Sequence, residues 1–81
     1  MTPDRIRDLL RARPFERFLL RLADGQTIPV DHPELLSLSP SGRTAVVFER
    51  DDSMRIVDVM LVTEALVRRG SGTRRTQSRG R

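Results

Sequence analysis

Three kinds of residue in this 81-residue chain carry chemistry that could act on a ligand. The single histidine, His32, stands directly after Asp31 and two residues before Glu34. A carboxylate beside an imidazole can orient it for general acid–base work. That use also needs a nucleophile in context, and there is no cysteine and no serine in a nucleophile elbow. Asp, His and Pro all favour turns, so Asp31-His32-Pro33-Glu34 is read as a bend. Among carboxylates, Asp51 and Asp52 offer a divalent cation two groups without the remaining oxygens of a ligand loop, so they are read as a charged turn. Asp58 stands in an apolar run and needs a hydrogen-bonding partner; capping the tight turn that follows would supply one. Ser39-Pro40-Ser41-Gly42-Arg43 has one glycine, no lysine and no helical pattern after it, which is a hairpin turn rather than a phosphate loop. One histidine and no cysteine are too few for an ordinary zinc site. The expectation is a non-enzymatic chain with no cofactor, metal or small-molecule substrate.

Arginine is the third kind, and its distribution is uneven. All 15 basic residues are arginines, against 11 acids. From Met1 to Val67 the chain holds nine arginines and all 11 acids, so this body is close to neutral. From 68 to 81 it holds six arginines and no acid. Arg68, Arg69, Arg74, Arg75, Arg79 and Arg81 can neutralise phosphates and release counterions, with Arg43 and Arg55 as candidates on the body. The segment has no aromatic residue for base stacking, so binding to RNA or another nucleic acid would be sequence-tolerant and salt-sensitive. A solubilising tail with no dedicated partner fits the same composition. Nothing apolar follows Val67, and burial cannot offset the ordering entropy, so 68–81 is read as disordered.

The elements that must position these residues can be read from periodicity. Thr2 suits an N-cap, Pro3 the first helical position and Asp4 the positive end of a helix over about 3–13. Ile6, Leu9, Leu10 and Arg13 share its face, with Asp4–Arg7 and Asp8–Arg11 as pairs on the wet side. Pro14 disfavours helical dihedrals at Arg13 and ends it. The period then becomes two. Phe18, Leu20 and Leu22 point one way, and Arg17, Leu19 and Arg21 the other, before the Asp24-Gly25 turn. Ile28 and Val30 point inward, and Pro29, which cannot donate to a ladder, requires an edge or a bulge. Leu36 and Leu38 alternate with Ser37 and Ser39. Thr44 to Glu49 and Arg55 to Val59 are further strands, and Met60 to Leu66 is a last short strand or a helical turn. Leu19, Val47 and Val57 fall on the face opposite the expected core and are candidate interface residues.

One helix, four or five short strands and turns every 8–12 residues predict a mainly β domain over 1–67: a small, strongly bent antiparallel barrel. A helix packed on an antiparallel sheet is the alternative. Small domains bury a modest share of their surface, and without disulfides self-association is the expected support. No apolar run is long enough to span a bilayer, and Met1-Thr2-Pro3-Asp4-Arg5 leads into an amphipathic segment rather than a secretory h-region, so a cytoplasmic protein is expected.

Two resemblances accompany this reading. Pro14-Phe15, Phe18, Leu20, Leu22, Asp24-Gly25, Val30, His32-Pro33-Glu34 and Ser39-Pro40-Ser41-Gly42-Arg43-Thr44, ending near Asp58 and Leu61-Val62-Thr63, resemble a pattern shared by short uncharacterised bacterial proteins, with no activity attached to it. The order of helix, strand, Asp-Gly turn, long bent strand, turn, strand and tight step to a last strand is similar to the Sm-like RNA-binding proteins, the Hfq type included. Leu20-Arg21-Leu22-Ala23-Asp24-Gly25 resembles the opening of their first motif, and Ile56-Val57-Asp58-Val59-Met60-Leu61 occupies the place of the second. That resemblance implies an Sm-like or SH3-like barrel and a homo-oligomer, commonly a ring. Pro29 and Val30 replace the family's mid-strand glycine, and Asp58-Val59-Met60 its RNA-contacting residues, so it does not imply the uridine pocket.

Overall fold

The computed structural model describes residues 1–68. The expected disorder of the arginine-rich segment therefore lies, from Arg69 onward, outside the described residues. Helix α1 spans Pro3–Arg11. The Thr2 hydroxyl caps it by accepting from the Arg5 amide at 3.4 Å, and Asp4 pairs with Arg7 at 3.0 Å; among the described residues Asp8 and Arg11 form no such pair. The helix stops two residues short of the expected end. Ala12 is already extended, and the Arg13 guanidinium folds back to donate to the Leu10 and Ala12 carbonyls that the helix end leaves open.

Six strands follow: β1 Phe18–Leu22, β2 Thr27–Val30, β3 Leu36–Leu38, β4 Thr44–Phe48, β5 Met54–Asp58 and β6 Val62–Val67. They form two antiparallel three-stranded sheets, ordered β2-β1-β6 and β3-β4-β5. The chain is thus mainly β with one N-terminal helix, as its periodicity predicts, but the ladders do not join into a closed barrel wall. Local residues mark the break between β2 and β3. A 3-10 turn over Pro33–Leu35 separates β2 from β3, and Pro29 and Pro33 supply no amide hydrogen to carry a ladder through it. Pro29 sits on β2, an edge strand, where its missing donor is tolerated. A second 3-10 turn, Val59–Leu61, links β5 to β6, so the segment after Val59 is both a helical turn and a strand.

The inner faces of the two sheets and Ile6 of α1 make one apolar core. Phe18, Leu20, Ile28, Val30, Ala45, Val47, Val59 and Val62 are fully buried, with Leu36 and Val57 nearly so. Among the described residues no polar or charged side chain is buried with them. Each large core side chain contributes about 1.5–3 kcal/mol relative to leaving it exposed. Here the structure corrects the sequence reading: Val47 and Val57 are core residues, not outward interface residues. The ladder pairs Thr44 with Asp58, Val46 with Ile56 and Phe48 with Met54 on one face. Keeping Asp58 in water fixes the phase of both strands, and Val47, Ala45 and Val57 then point inward. Leu19 is half-buried on the outer face of the first sheet, between Pro29 and Leu66.

Candidate nucleic-acid interface

The arginines divide between the two ends of the strands. Arg43 is exposed in the β3–β4 turn, where its carbonyl accepts from the Val59 amide at 2.9 Å. Gly42 in this turn has φ +79°, and any Cβ there would lie 2.6 Å from Pro3 Cβ, so glycine lets α1 dock. Arg55 is half-buried on the Val47 side of β5, and its guanidinium donates to Gln26 Oε1 at 2.8 Å, tying β5 to the β1–β2 turn. Arg43 and Arg55 do not share a site with Arg68. Arg68 is exposed just beyond β6, and its amide donates to the Arg17 carbonyl at 2.9 Å. Arg69, Arg74, Arg75, Arg79 and Arg81 lie outside the described residues.

At the Arg68 end, the β1–β6 ladder sets Arg17 directly beside it, one step beyond the Phe18–Val67 rung, although the two are 51 apart in sequence. The ladder itself closes with the Arg21–Glu64 ion pair at 2.6 Å. Arg50, just past β4, contacts Asp31 at the end of β2 across 3.5 Å, a long contact with the Arg50 side chain 92% exposed. Sequence reasoning missed Arg17 and Arg50, because their neighbourhood depends on strand pairing and not on local spacing.

The other candidate groups are held in turns. The Asp31 carboxylate faces Arg50, while His32 is exposed and starts the 3-10 turn without a side-chain cap bond. Ser39 and Ser41 bond each other at 3.3 Å, and their hydroxyls accept from the Thr44 and Arg43 amides, closing the hairpin. Asp58 accepts from the Met60 amide at 2.9 Å, the cap its position predicts. Asp51 accepts from the Ser53 hydroxyl at 2.6 Å and from its amide at 3.0 Å. These bonds, the hydroxyl's first, hold the Asp51 carboxyl below its ordinary range. Among the described residues, no three His, Asp or Glu side chains gather as a metal-ligand set, and no helix is long and apolar enough to cross a membrane.

A second surface has the opposite character. On the outer face of β4 and β5, Phe48 is 41%, Met54 57% and Ile56 69% exposed, beside half-buried Val46. Met54 and Ile56, also missed, have a readable signal: they share the parity of Asp58, which must stay wet. Compared with known protein families, curated proteins and solved structures, this chain finds no match.

Proposed function

We propose that this protein is a non-catalytic binding module, Sm-like in layout, that holds single-stranded nucleic acid through its arginine-rich segment. The observation that carries this reading is charge segregation: six arginines without an acid in 68–81, against a body with two more acids than arginines. Such a segment neutralises phosphates wherever they lie, and a near-neutral body leaves that attraction uncompensated. The Sm-like layout is supported by strand order. If β2, the 3-10 turn and β3 are taken as one bent strand, the sequence of neighbours is β6-β1-β2/β3-β4-β5.

The test is binding of a labelled single-stranded RNA against salt concentration. Affinity falls steeply as salt rises, with a log–log slope of about −0.7 per phosphate contacted, and truncation after Val67 removes most of it. Equal binding by the truncated chain overturns the reading.

A second reading, assembly through a protein interface, is favoured by the apolar outer face of β4 and β5. If the protein self-associates there, Ile56→Asp lowers the sedimentation coefficient and leaves the circular dichroism spectrum unchanged. Leu19→Asp leaves the sedimentation coefficient unchanged, because Leu19 is already half-covered by its cross-strand neighbours.

A further inference from the structure

We infer that Arg17, Arg50 and Arg68 form a phosphate-binding platform at the root of the arginine-rich segment, with Phe48 at its far end as a base-stacking face. The inference rests on the nucleic-acid reading above and adds a folded site to it. Its first support is topological. Strand β6 returns the chain to the start of β1, so Arg68 and Arg17 are joined by a backbone bond of 2.9 Å and both side chains are exposed. The arginine-rich segment begins in sequence at this point.

Its second support is shape. A shallow depression of about 170 Å³ lies between Arg68 and Arg17, with Asp31 in its wall. A larger one of about 380 Å³ continues from Arg17 and Asp31 to His32, Glu49 and Arg50. Because the two share Arg17 and Asp31, they form one open track. A third depression shares Asp31, Glu49 and Arg50 with this track and extends it to Phe48 and Pro29.

Its third support is charge. Two carboxylates, Asp31 and Glu49, line the Arg17–Arg50 stretch. Asp31 meets Arg50 only across 3.5 Å, and Glu49 accepts from the Ser53 hydroxyl at 3.0 Å. Among the described residues the Arg17 guanidinium has no ion-pair or hydrogen-bond partner. Three arginines therefore lie along a track that also carries Asp31, Glu49 and, at its Phe48 end, Asp51, so the excess of positive charge is confined to the Arg17–Arg68 end, where two arginines meet Asp31 alone and Arg69 follows directly in sequence. An exposed ring continuous with a backbone-binding groove is what single-strand binding uses, since every base has a face to stack; here the ring stands at the acidic end of the track and the basic end lies at Arg17 and Arg68. The ligand class is the phosphodiester backbone of a single strand, with at least one base on Phe48.

The experiment uses the full chain, a fluorescein-labelled 20-nucleotide single-stranded RNA of mixed sequence, and anisotropy from 50 to 300 mM KCl. Removing two phosphate contacts in Arg17→Ala/Arg50→Ala flattens the salt slope by about 1.4 and weakens binding at the lowest salt. Phe48→Ala weakens binding about tenfold and leaves the slope unchanged. Arg43→Ala, at the opposite strand end, changes neither. Circular dichroism checks that each variant is folded, and the single Arg50→Ala variant, altering a side chain 92% exposed, serves if another is not. Wild-type slope and affinity in folded Arg17→Ala/Arg50→Ala overturn the platform while leaving the segment's own binding intact. Absence of RNA binding by the wild-type chain at 50 mM KCl overturns the nucleic-acid reading itself, and the platform with it.

Discussion

The two sheets are built alike on the inside and differently on the outside. Each presents alternate apolar residues to the core: Phe18, Leu20, Ile28 and Val30 from one, Leu36, Ala45, Val47 and Val57 from the other. Outward, the first sheet carries Arg21 paired with Glu64, and Leu19 shielded by Pro29 and Leu66. The second carries Val46, Phe48, Met54 and Ile56, with Asp58 at one corner. Their hairpins differ in the same sense. Gly25 of the β1–β2 turn has nothing within 4 Å of where a Cβ would be, whereas Gly42 of the β3–β4 turn is wedged against Pro3 and Arg7 of α1. The first sheet's outer face thus exposes one large apolar residue of the ladder, Leu66, against Phe48, Met54 and Ile56 on the second, and the second sheet is also the one whose hairpin is fitted to α1. Burial alone does not reveal this asymmetry, because strand parity decides it.

Parity gives the largest expected effect. Val47→Asp places a carboxylate in a core with no buried polar partner among the described residues. The cost is several kcal/mol, against a stability that rarely exceeds about 3–5 kcal/mol in domains this small. That variant is unfolded by circular dichroism at 25 °C. Ile56→Asp, one rung away with opposite parity, melts within about 1 kcal/mol of wild type. Comparable loss in both variants would mean that the outer face is buried in solution, which would sharpen the case for self-association.

The hairpin glycines give the next. Both sit at positive φ, +92° for Gly25 and +79° for Gly42, so alanine strains the backbone at either. At Gly25 that strain is the whole effect, about 1 kcal/mol. At Gly42 the new methyl also meets Pro3 Cβ at 2.6 Å and Cγ at 2.8 Å, and α1, whose Ile6 is fully buried, must shift. Overpacking adds about 1–3 kcal/mol, so Gly42→Ala costs about 2–4 kcal/mol by urea unfolding. Equal losses at the two glycines would mean that α1 yields freely.

How much of this was legible follows from the same parity. β1 could be read in phase because arginines alternate with Phe18, Leu20 and Leu22, leaving one face that can be buried. Ile28 and Val30 inherit that clarity from Thr27 and Pro29. In β4 and β5 the neighbours Val46-Val47-Phe48 and Ile56-Val57 are apolar on both parities, and hydropathy cannot choose between them. Phe48, the largest of them, even lies on the wet side. In β5 Asp58 carries the phase on the strand itself; in β4 only the pairing of Thr44 with Asp58 does, and that pairing is a fact of the ladder. The cap role of Asp58 was readable because a cap bond is local, two residues long. The meeting of Arg17 with Arg68 was not, because it needs β6 to return beside β1. The break between β2 and β3 falls between them: Pro29 and Pro33 mark it, but nothing local says that the two ladders stay separate sheets.

The smallest effect belongs to the β4–β5 turn of the second sheet, and it reads that turn's geometry by titration. Ser53 has one hydroxyl proton and two carboxylates in reach, Asp51 at 2.6 Å and Glu49 at 3.0 Å. The shorter contact takes the larger share, in accord with the lowered Asp51 pKa and its leading cause. A carboxyl whose pKa is lower folded than unfolded favours the folded state once ionised. That contribution is complete above the unfolded carboxylate range and fades as pH falls through the folded value. Ser53→Ala removes the hydroxyl and keeps the Ser53 amide bond to Asp51, so the Asp51 pKa rises part of the way to its ordinary value. Carbon-detected NMR titration of the Asp51 carboxyl reads the shift directly. The difference in melting temperature between Ser53→Ala and wild type is then greatest near neutral pH and shrinks in acid. An Asp51 titration curve identical in the two proteins would mean that the hydroxyl points to Glu49 instead, and that the turn at the open end of β5 is set by its backbone bonds, Glu49 to Ser53 at 2.8 Å and Asp52 to Glu49 at 3.1 Å.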